Sequence, residues 1–313
     1  MALYLVTGGC GFIGSNIAEH LVSLGEQVRI LDDLSTGNES NLTGFADRVE
    51  FIRGSLLDPR ALDAAVEGVD YILHQAAIPS VQRSVDDPIR SNAANVDGTV
   101  ALLDAARRKG VKRVVYAASS SAYGDQPVLV KKETLLPMPK SPYAASKLAA
   151  EFYLQAFTEC YGLETVSLRY FNVFGPRQDP NSEYSAVIPR FITKCLRGER
   201  PTIYGDGTQS RDFTYVENNI RANILAATAP GVAGRVFNIA CGRSYSLLDL
   251  LRAINEILGT TIEPVFAPPR KGDVRHSLAD ISEAEKSLGY SVGVDFHEGL
   301  RRTVEWYRRQ QGA

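Results

Sequence analysis

The stretch "TGGCGFIGSN" at residues 7–16 decides the fold, because it places three regularly spaced glycines directly behind the apolar run Leu3–Val6. A strand that turns sharply into a helix leaves unpaired N–H groups at the helix N-terminus, and such groups bind phosphate. Glycines at positions 8, 11 and 14 let a pyrophosphate approach this backbone and let the helix pack closely on the strand. An ordinary strand–turn–helix corner is the alternative, and the glycines alone do not exclude it.

Length, composition and charge indicate a globular protein and argue against a nucleic-acid-binding or membrane-spanning one. The 313 residues, 44% hydrophobic and 22% charged, suffice for one large or two modest domains with a full core. The formal net charge of -2 provides no basic field for nucleic acid. The chain has no apolar run of about 18 residues, and it enters its first strand without a basic region or cleavage site. We therefore expect neither a membrane span nor a signal peptide.

The four cysteines and four histidines are scattered along the chain, without the spacing of a metal site or a disulfide framework. This pattern predicts a cytoplasmic protein without a structural metal.

The first half of the chain alternates between apolar strands and amphipathic helices. Near-continuous apolar strands of this kind are typical of a parallel sheet covered on both faces, so the sequence predicts a doubly wound α/β domain of the Rossmann type. The predicted strands are "LYLVTG", "QVRILDD", "VEFIRGS", "VDYILHQAA" and "VKRVVYAASS", and the predicted helices cover 15–24, 59–66 and about 86–108.

After about residue 170 the regular alternation of predicted strands and helices ends. Proline and glycine become frequent in "FGPRQDPNSEYS" and "YGDGTQSRDF", while "RVFNIACG" again resembles a buried strand that returns to the sheet. We predict a dinucleotide-binding domain over 1–170 with a return segment at about 212–242. A smaller, interleaved α/β substrate lobe is predicted over 171–211 and 243–313. Such a lobe would lie at the carboxyl ends of the strands, where doubly wound sheets bind ligands.

Asp32 ends the second predicted strand, 18 residues after Gly14. A carboxylate there can accept hydrogen bonds from an adenosine ribose, and it would repel a 2′-phosphate, which favours NAD over NADP. A turn-forming aspartate is the alternative. Because strand, glycines, helix and acid occur in this order, the sequence predicts an NAD site.

The stretch "SPYAASK" at residues 141–147 predicts a catalytic helix. Ser141 is a good N-cap and Pro142 a good first helical residue, which places Tyr143 and Lys147 on one face. A free phenol has a pKa near 10, but a neighbouring ammonium and a positively charged nicotinamide favour the phenolate. Tyr143 is therefore the predicted proton acceptor, and Ser119 in "AASSSAYGD" is predicted to bind the same hydroxyl. Surface residues and a polar turn are the alternatives.

Together these motifs resemble the extended short-chain dehydrogenase/reductases over essentially the whole chain. Within that family the chain is most similar to nucleotide-sugar 4-epimerases, especially those that accept UDP-N-acetylhexosamines. The resemblance rests on "TGGCGFIG", Asp32, "HQAA" (74–77), "SSSAYG", "YAASK", "RYFNVFGPRQ" (169–178) and "RDFTYVEN" (211–218).

The resemblance implies oxidation of the sugar at C4 by NAD, followed by a step that differs between members. Similar dehydratases carry an Asp-Glu pair just after the catalytic hydroxyl, and UDP-glucuronate decarboxylases carry a Glu there. Residues 119–123 read "SSSAY" without an acid, so return of the hydride, and hence epimerisation, is favoured. The alternatives are a UDP-hexuronic acid 4-epimerase, an NAD-linked nucleotide-sugar dehydratase or reductase, and a non-enzymatic dinucleotide sensor.

The resemblance also implies site residues. Arg211 and Arg270 would clamp the pyrophosphate as fixed guanidinium forks, although a solvated loop arginine is the alternative. Ser277 stands where members restricted to glucose and galactose carry a bulky Tyr, so N-acetylated sugars should fit. Tyr143, Lys147 and Ser119 are the implied catalytic residues. Cofactor contacts are implied for Gly8, Gly11, Phe12, Ile13, Gly14, Asp32, Asn38, Leu56, Ala76, Asn95, Tyr143, Lys147 and Tyr170, and substrate contacts for Ser121, Asn172, Val187, Tyr204, Arg211, Arg270, Asp273 and Ser277.

Two further expectations come from the resemblance. Ser55 stands where the family usually has an Asp that holds the adenine amino group, so a weaker, neutral hydrogen bond is expected there. Similar proteins pair through the helices near 87–108 and 143–161, which implies a two-fold homodimer.

Overall fold

A computed structural model describes residues 1–180, 187–269 and 275–311. The strands in this part of the chain are β1 (Leu3–Thr7), β2 (Gln27–Asp32), β3 (Glu50–Arg53), β4 (Tyr71–His74), β5 (Arg113–Ser119), β6 (Val130–Lys131), β7 (Glu164–Tyr170), β8 (Val173–Phe174), β9 (Thr202–Tyr204), β10 (Ser210–Arg211), β11 (Thr214–Tyr215), β12 (Arg235–Ile239), β13 (Tyr245–Ser246), β14 (Val265–Ala267) and β15 (His276–Ala279). The α-helices are α1 (Phe12–Ser23), α2 (Pro59–Val66), α3 (Val81–Asp86), α4 (Pro88–Asn92), α5 (Gly98–Arg108), α6 (Pro142–Tyr161), α7 (Val187–Leu196), α8 (Val216–Thr228), α9 (Leu247–Leu258), α10 (Ser282–Leu288) and α11 (Phe296–Gln311).

Seven strands form one parallel sheet in the order β12-β7-β5-β4-β1-β2-β3. The predicted doubly wound fold is therefore confirmed. The strand order reverses between β1 and β4, and in such sheets this point opens a crevice at the carboxyl ends of the strands.

Both faces of the sheet are buried. Alternate residues of a strand point to opposite faces, and each face packs in its own apolar cluster. Val6, Leu73 and Val115 pack in one cluster with residues of α1 and α8. Their neighbours Leu5 and Ile72 belong to a second cluster with residues of α2, α5 and α6. Burial on two faces explains why the strands are near-continuous apolar runs.

The remaining strands form small sheets beside the large one: β13-β10-β15-β6, β11-β8 and β14-β9. An aromatic cluster joins these small sheets, with the Phe296 ring centroid 4.1 Å from that of Tyr245, 5.7 Å from Phe213 and 6.0 Å from Phe174. These aromatic side chains belong to the same apolar cluster as the buried residues of α1 and α8. The small sheets therefore share one apolar core with helices α1 and α8 of the large sheet.

The structure differs from the sequence predictions in several elements. Helix α1 begins at Phe12 rather than at residue 15, because Gly11 already serves as its N-cap. The central strand β7 was not among the predicted strands. The predicted helix over 86–108 is present from Pro88, but it contains a π-helical turn at Ala93–Asp97. In the described ranges no helix is both long and apolar enough to cross a membrane.

Candidate active site

The glycine turn between β1 and α1 has no room for a side chain at Gly8 or Gly14. Gly8 has φ +67°, and a Cβ there would lie 2.8 Å from both the backbone N and the Cα of Ala76. A Cβ on Gly14 would collide with the Gly8 carbonyl oxygen. The N-cap residue Gly11 has no side chain to occupy the first-turn N–H groups of α1. The result is a backbone cradle that fits a pyrophosphate.

This turn opens into a cavity of about 1950 Å³ at the carboxyl ends of the central strands. The structure brings together most of the predicted site residues on its wall: Gly8, Gly11, Phe12, Ile13, Gly14, Asp32, Leu56, Ala76, Ser119, Ser121, Tyr143, Lys147, Tyr170, Asn172, Arg211 and Ser277. Ser55 also lines it. A single cavity therefore spans the predicted cofactor and substrate residues.

The Asp32 carboxylate is held at the tip of β2 by backbone. Oδ2 accepts from the Cys10 N–H at 2.8 Å and Oδ1 accepts from the Leu34 N–H at 2.8 Å. Burial raises the pKa of Asp32, and these two hydrogen bonds oppose that rise. Each oxygen keeps a further lone pair, which leaves the carboxylate able to accept a hydrogen bond; its contact with a ribose hydroxyl stays a prediction.

Asn38 and Asn95 do not line the cavity wall, and their amides hold backbone instead. Asn38 Oδ1 accepts from the Ser40 N–H at 3.0 Å, at the start of a 3-10 turn. Asn95 lies in the π turn, where its Oδ1 accepts from the Ile78 N–H at 2.8 Å and its Nδ2 donates to Ser146 Oγ at 3.0 Å. Asn95 therefore supports the cavity wall from behind, whereas the exposed Asn38 caps a local turn.

Tyr143 and Lys147 face the cavity from one side of α6. The helix begins as predicted, with Ser141 Oγ accepting from the Ala144 N–H at 3.1 Å and Pro142 as the first helical residue. The Tyr143 phenol and the Ser119 hydroxyl both line the cavity, and their interaction acts to lower the pKa of Tyr143. Lys147 is 4% exposed, and its Nζ lies 4.2 Å from the centroid of the Tyr116 ring.

The hydroxyl of Ser119 is oriented by its neighbour Ser121. Ser119 Oγ accepts from the Ser121 Oγ at 2.8 Å and from the Ser121 N–H at 3.2 Å. A hydroxyl has two lone pairs and one proton, so the Ser119 proton remains for Tyr143. Donation from Ser119 favours the Tyr143 phenolate.

Burial dominates the protonation of both catalytic candidates. It raises the pKa of Tyr143 above its usual value near 10, although the hydrogen bond from Ser119 opposes this rise. It also lowers the pKa of Lys147 to about 7. The sequence predicts that Lys147 lowers the pKa of Tyr143, but in the protein chain itself desolvation outweighs that attraction, because it penalises both charged forms.

The Tyr170 phenol closes a small buried network beneath the cavity. Its oxygen donates to Gln75 Oε1 at 3.2 Å and accepts from Asn223 Nδ2 at 2.6 Å, and Gln75 Nε2 donates to Asn223 Oδ1 at 3.1 Å. These bonds tie the ends of β4 and β7 to α8. The floor of the cavity therefore connects three elements of the fold.

The substrate side is assembled from distant parts of the chain. Arg211 on β10 pairs in parallel register with Ser277 on β15. Asn172, with φ +37°, donates from Nδ2 to the Asp212 carbonyl at 3.0 Å. Val187 and Tyr204 are not part of the cavity lining in the described residues, and the predicted Arg270 and Asp273 lie outside those residues.

Asp212 is a site residue that the sequence analysis missed. Its fully buried carboxylate accepts from the N–H groups of Cys241 at 2.9 Å, Gly242 at 3.0 Å and Ala279 at 3.3 Å. Burial raises its pKa to about 6 against the effect of these three bonds. Its position in "RDF" beside Arg211 was the available signal. It joins β10, β15 and the turn at 241–242 behind the substrate wall.

Comparison with known proteins gives the same assignment as the fold and the cavity. The model of the NAD dependent epimerase/dehydratase family matches residues 4–240, and the chain belongs to this family. The UDP-glucose 4-epimerase of Mycolicibacterium smegmatis is 39% identical over 98% of each chain.

Solved structures agree with this family assignment. The UDP-N-acetylglucosamine 4-epimerase of Methanobrevibacter ruminantium, in complex with UDP-N-acetylmuramic acid, is 43% identical over 99% of each chain, with a TM-score of 0.95. The UDP-glucose 4-epimerase of Thermus thermophilus, in complex with NAD, is 38% identical over 98% of this chain and 99% of that one, with a TM-score of 0.88.

Proposed function

We propose that this protein is a UDP-hexose 4-epimerase, which inverts C4 of the sugar through a transient 4-keto intermediate with bound NAD. One observation carries the proposal: a single cavity joins the glycine cradle and Asp32 to Tyr143, Lys147 and Ser119. The names of the similar proteins support the same activity.

Backbone groups and side chains would bind different parts of the dinucleotide. The cradle at Gly8, Gly11 and Gly14 would hold the pyrophosphate, and Asp32 would accept from the adenosine ribose. When bound, NAD supplies the hydride acceptor for C4 and the donor that returns the hydride. Lys147 lies in the same wall, where its ammonium would favour both the ribose hydroxyls and a phenolate.

Proton transfer is the task of Tyr143. Its phenolic oxygen would take the proton of the sugar C4 hydroxyl as the sugar is oxidised. It would return the proton to the C4 oxygen after the keto sugar has rotated in the site. Ser119 donates a hydrogen bond to the same place, because its own acceptor positions are filled by Ser121. The proton is thus conserved over one catalytic cycle, as the hydride is.

Elimination of water would need a further acid close to the catalytic hydroxyls. The carboxylate that follows them on the cavity wall is Asp125, whose Oδ1 lies 3.0 Å from Lys140 Nζ. This contact lowers the pKa of Asp125, and its side chain is 61% exposed. A solvated, ion-paired carboxylate is a poor proton donor, which favours epimerisation over dehydration.

Ser277 supports a substrate range that includes N-acetylated sugars. The side chain is small and lines the cavity beside Arg211, on the wall that Asp212 holds in place. The keto sugar must rotate so that the opposite face of C4 meets the nicotinamide, and an acetamido group needs space throughout that rotation. We therefore include UDP-GlcNAc and UDP-GalNAc, as well as UDP-Glc and UDP-Gal, among the substrates.

A homodimer in the cytoplasm completes the proposal. Helix α6 presents a continuous exposed stripe of apolar residues, Ala145, Phe152, Tyr153 and Ala156, and Ile89 on α4 is 82% exposed. Such a stripe is typical of a helix–helix interface between two copies of a chain. The four cysteines are free thiols, as expected in a reducing compartment. Light scattering on the wild type and on Phe152→Glu tests the dimer, which the charge should dissociate.

A panel of UDP-sugars tests the proposed activity. Each sugar is incubated with the purified enzyme and the products are identified by NMR, while absorbance at about 340 nm reports net formation or consumption of NADH. We expect equilibrium mixtures of C4 epimers without a net change in that absorbance. A 4-keto-6-deoxy product would show a dehydratase, and stoichiometric use of NADH would show a reductase.

A further inference from the structure

The first turn of α6 carries the catalytic Tyr143, and its backbone N–H groups have no partners inside the helix. Pro142 has no N–H group, and the Ala144 N–H donates to the N-cap oxygen of Ser141. The N–H of Tyr143 is satisfied from another element: it donates to Ser84 Oγ at 2.9 Å, across 59 positions of sequence. A residue of α3 therefore completes the N-terminus of the catalytic helix.

The Ser84 hydroxyl is fixed in this role. Its residue is fully buried, and its proton is donated to the Val81 carbonyl at 2.6 Å. The oxygen consequently meets the Tyr143 N–H as an acceptor, with no freedom to rotate its proton towards α6.

A second tether holds the other peptide group of Tyr143. Its carbonyl accepts from Ser146 Oγ at 2.9 Å, and Ser146 Oγ in turn accepts from Asn95 Nδ2 at 3.0 Å. Asn95 belongs to the π turn, a local distortion that occurs frequently at functional sites. Tyr143 is thus held at its N–H by Ser84 of α3 and at its C=O by Ser146, which Asn95 of the π turn holds in turn.

Both supporting elements also form the cavity wall. Val81, Gln82 and Val85 of α3 line the cavity, as do Ala93 and Ala94 of the π turn. Ser84 therefore links the wall that faces the substrate to the backbone of the residue that moves the proton.

We propose that Ser84 is a positioning residue for Tyr143: it anchors the first turn of α6 so that the phenolic oxygen stays against Ser119 and within reach of the sugar C4 hydroxyl. This inference rests on the proposed function of Tyr143. Without the anchor, the Tyr143 N–H loses its buried acceptor and the first turn can move by a fraction of an ångström. Proton transfer depends steeply on such displacements, whereas binding of the nucleotide does not.

Ser84→Ala tests the anchor through three readouts. We expect kcat to fall by between about tenfold and a hundredfold, with the KM for the UDP-sugar changed by less than about twofold. The acid limb of the kcat–pH profile should move to higher pH, because a displaced Tyr143 loses the hydrogen bond from Ser119 that lowers its pKa. Amide hydrogen exchange should accelerate in the peptide covering residues 141–149, and this measurement needs no turnover.

Ser91→Ala is the matched control. Ser91 is 2% exposed on the neighbouring helix α4, and it does not belong to the cavity lining in the described residues. Its removal should leave kcat, the pH profile and the exchange of residues 141–149 near their wild-type values.

The comparison of Ser84→Thr with Ser84→Cys covers the case in which Ser84→Ala does not fold. The threonine keeps the hydroxyl acceptor, and the cysteine keeps the size but accepts weakly, so Thr should retain more kcat than Cys. Wild-type kcat and wild-type exchange in Ser84→Ala would overturn the proposal, as would equal kcat in the Thr and Cys variants. If the wild type itself turns over no UDP-sugar, the proposed function fails, while the exchange measurement still decides whether Ser84 anchors Tyr143.

Discussion

The cofactor side and the substrate side of the cavity are built in different ways. On the cofactor side, the cradle consists of residues 7–16, and its shape follows from backbone that approaches too closely for any side chain at Gly8 and Gly14. On the substrate side, Arg211 and Ser277 become neighbours through strand pairing across 66 positions, and the buried carboxylate of Asp212 connects three segments behind them. The first construction is local and steric, whereas the second is long-range and polar.

This difference has consequences for specificity. A cradle of backbone N–H groups binds any dinucleotide pyrophosphate, so that half of the site is common to many proteins with different activities. The substrate wall can change one side chain at a time without disturbing the cradle. Tyr143 and Ser119 lie where the two constructions meet, and they should carry the largest effects.

Tyr143→Phe should have the largest effect. It removes the proton acceptor and keeps the ring, so we expect kcat to fall by about 10²- to 10⁴-fold with nearly unchanged UDP-sugar affinity. Initial rates and isothermal titration calorimetry measure the two quantities. Tyr161→Phe, at the far end of α6, is the control and should retain wild-type kcat. Near-native kcat in Tyr143→Phe would show that another group is the base.

Ser277→Tyr should separate the two substrate classes. The ring would fill the space in which an acetamido group rotates, so turnover of UDP-GlcNAc and UDP-GalNAc should be lost while UDP-Glc and UDP-Gal are still interconverted. Product ratios by NMR for both pairs provide the measurement, and Ser277→Ala should spare both. Equal loss on the two pairs would mean that Ser277 does not gate substrate size.

Gly14→Ala should damage the cofactor side alone. The new methyl group would collide with the Gly8 carbonyl, so the turn must widen, and we expect at least about a tenfold loss of NAD affinity by calorimetry. Gly25→Ala is the control, because that glycine has φ +80° with open space around it. It should lower stability by about 1 kcal/mol while leaving NAD affinity intact. Wild-type NAD affinity in Gly14→Ala would contradict the steric account of the cradle.

Asp212→Asn should have the smallest effect on turnover and a clear effect on stability. The amide would present an NH₂ group to N–H donors, which should cost about 1–3 kcal/mol. The exposed Asp206→Asn in the same lobe should cost far less.

The pH dependence sharpens this test of Asp212. The folded-state pKa of about 6 lies above the unfolded value near 3.9, so the folded protein holds this proton more tightly. Stability from Asp212 is therefore present below about pH 4 and lost as the pH rises to about 6, by at most about 1.4 kcal/mol per pH unit. Urea unfolding of the wild type and Asp212→Asn between about pH 4 and pH 7 measures the difference. A difference that does not change with pH would contradict the buried titration.

The same contrast explains how much could be predicted from the sequence. The doubly wound sheet, the glycine cradle, Asp32 and the Tyr143–Lys147 face follow from contiguous motifs with fixed spacing, and the structure places these residues together on one cavity. Strand β7 was missed although a signal was available: Gly162, the left-handed C-cap of α6, ends the helix two residues before the strand begins at Glu164. Asp212 and Ser84 escaped because their roles arise from tertiary hydrogen bonds, and a buried Asp or Ser has no sequence pattern that distinguishes it from a turn residue.

The desolvation of Lys147 also could not be predicted from the sequence. The i, i+4 spacing correctly predicts that Lys147 shares a helix face with Tyr143, but it contains no information on solvent exposure. At 4% exposure, desolvation lowers the pKa of Lys147 to about 7, and it raises the pKa of Tyr143.

The most direct test of the central claim follows the hydrogen at C4. UDP-GlcNAc carrying deuterium at C4 is incubated with the enzyme as purified, without added NAD, and the products are analysed by NMR. A 4-epimerase that returns its own hydride predicts a mixture of UDP-GlcNAc and UDP-GalNAc in which both epimers retain deuterium at C4. Loss of the label to solvent, or inversion that requires stoichiometric external NADH, would contradict the proposed function.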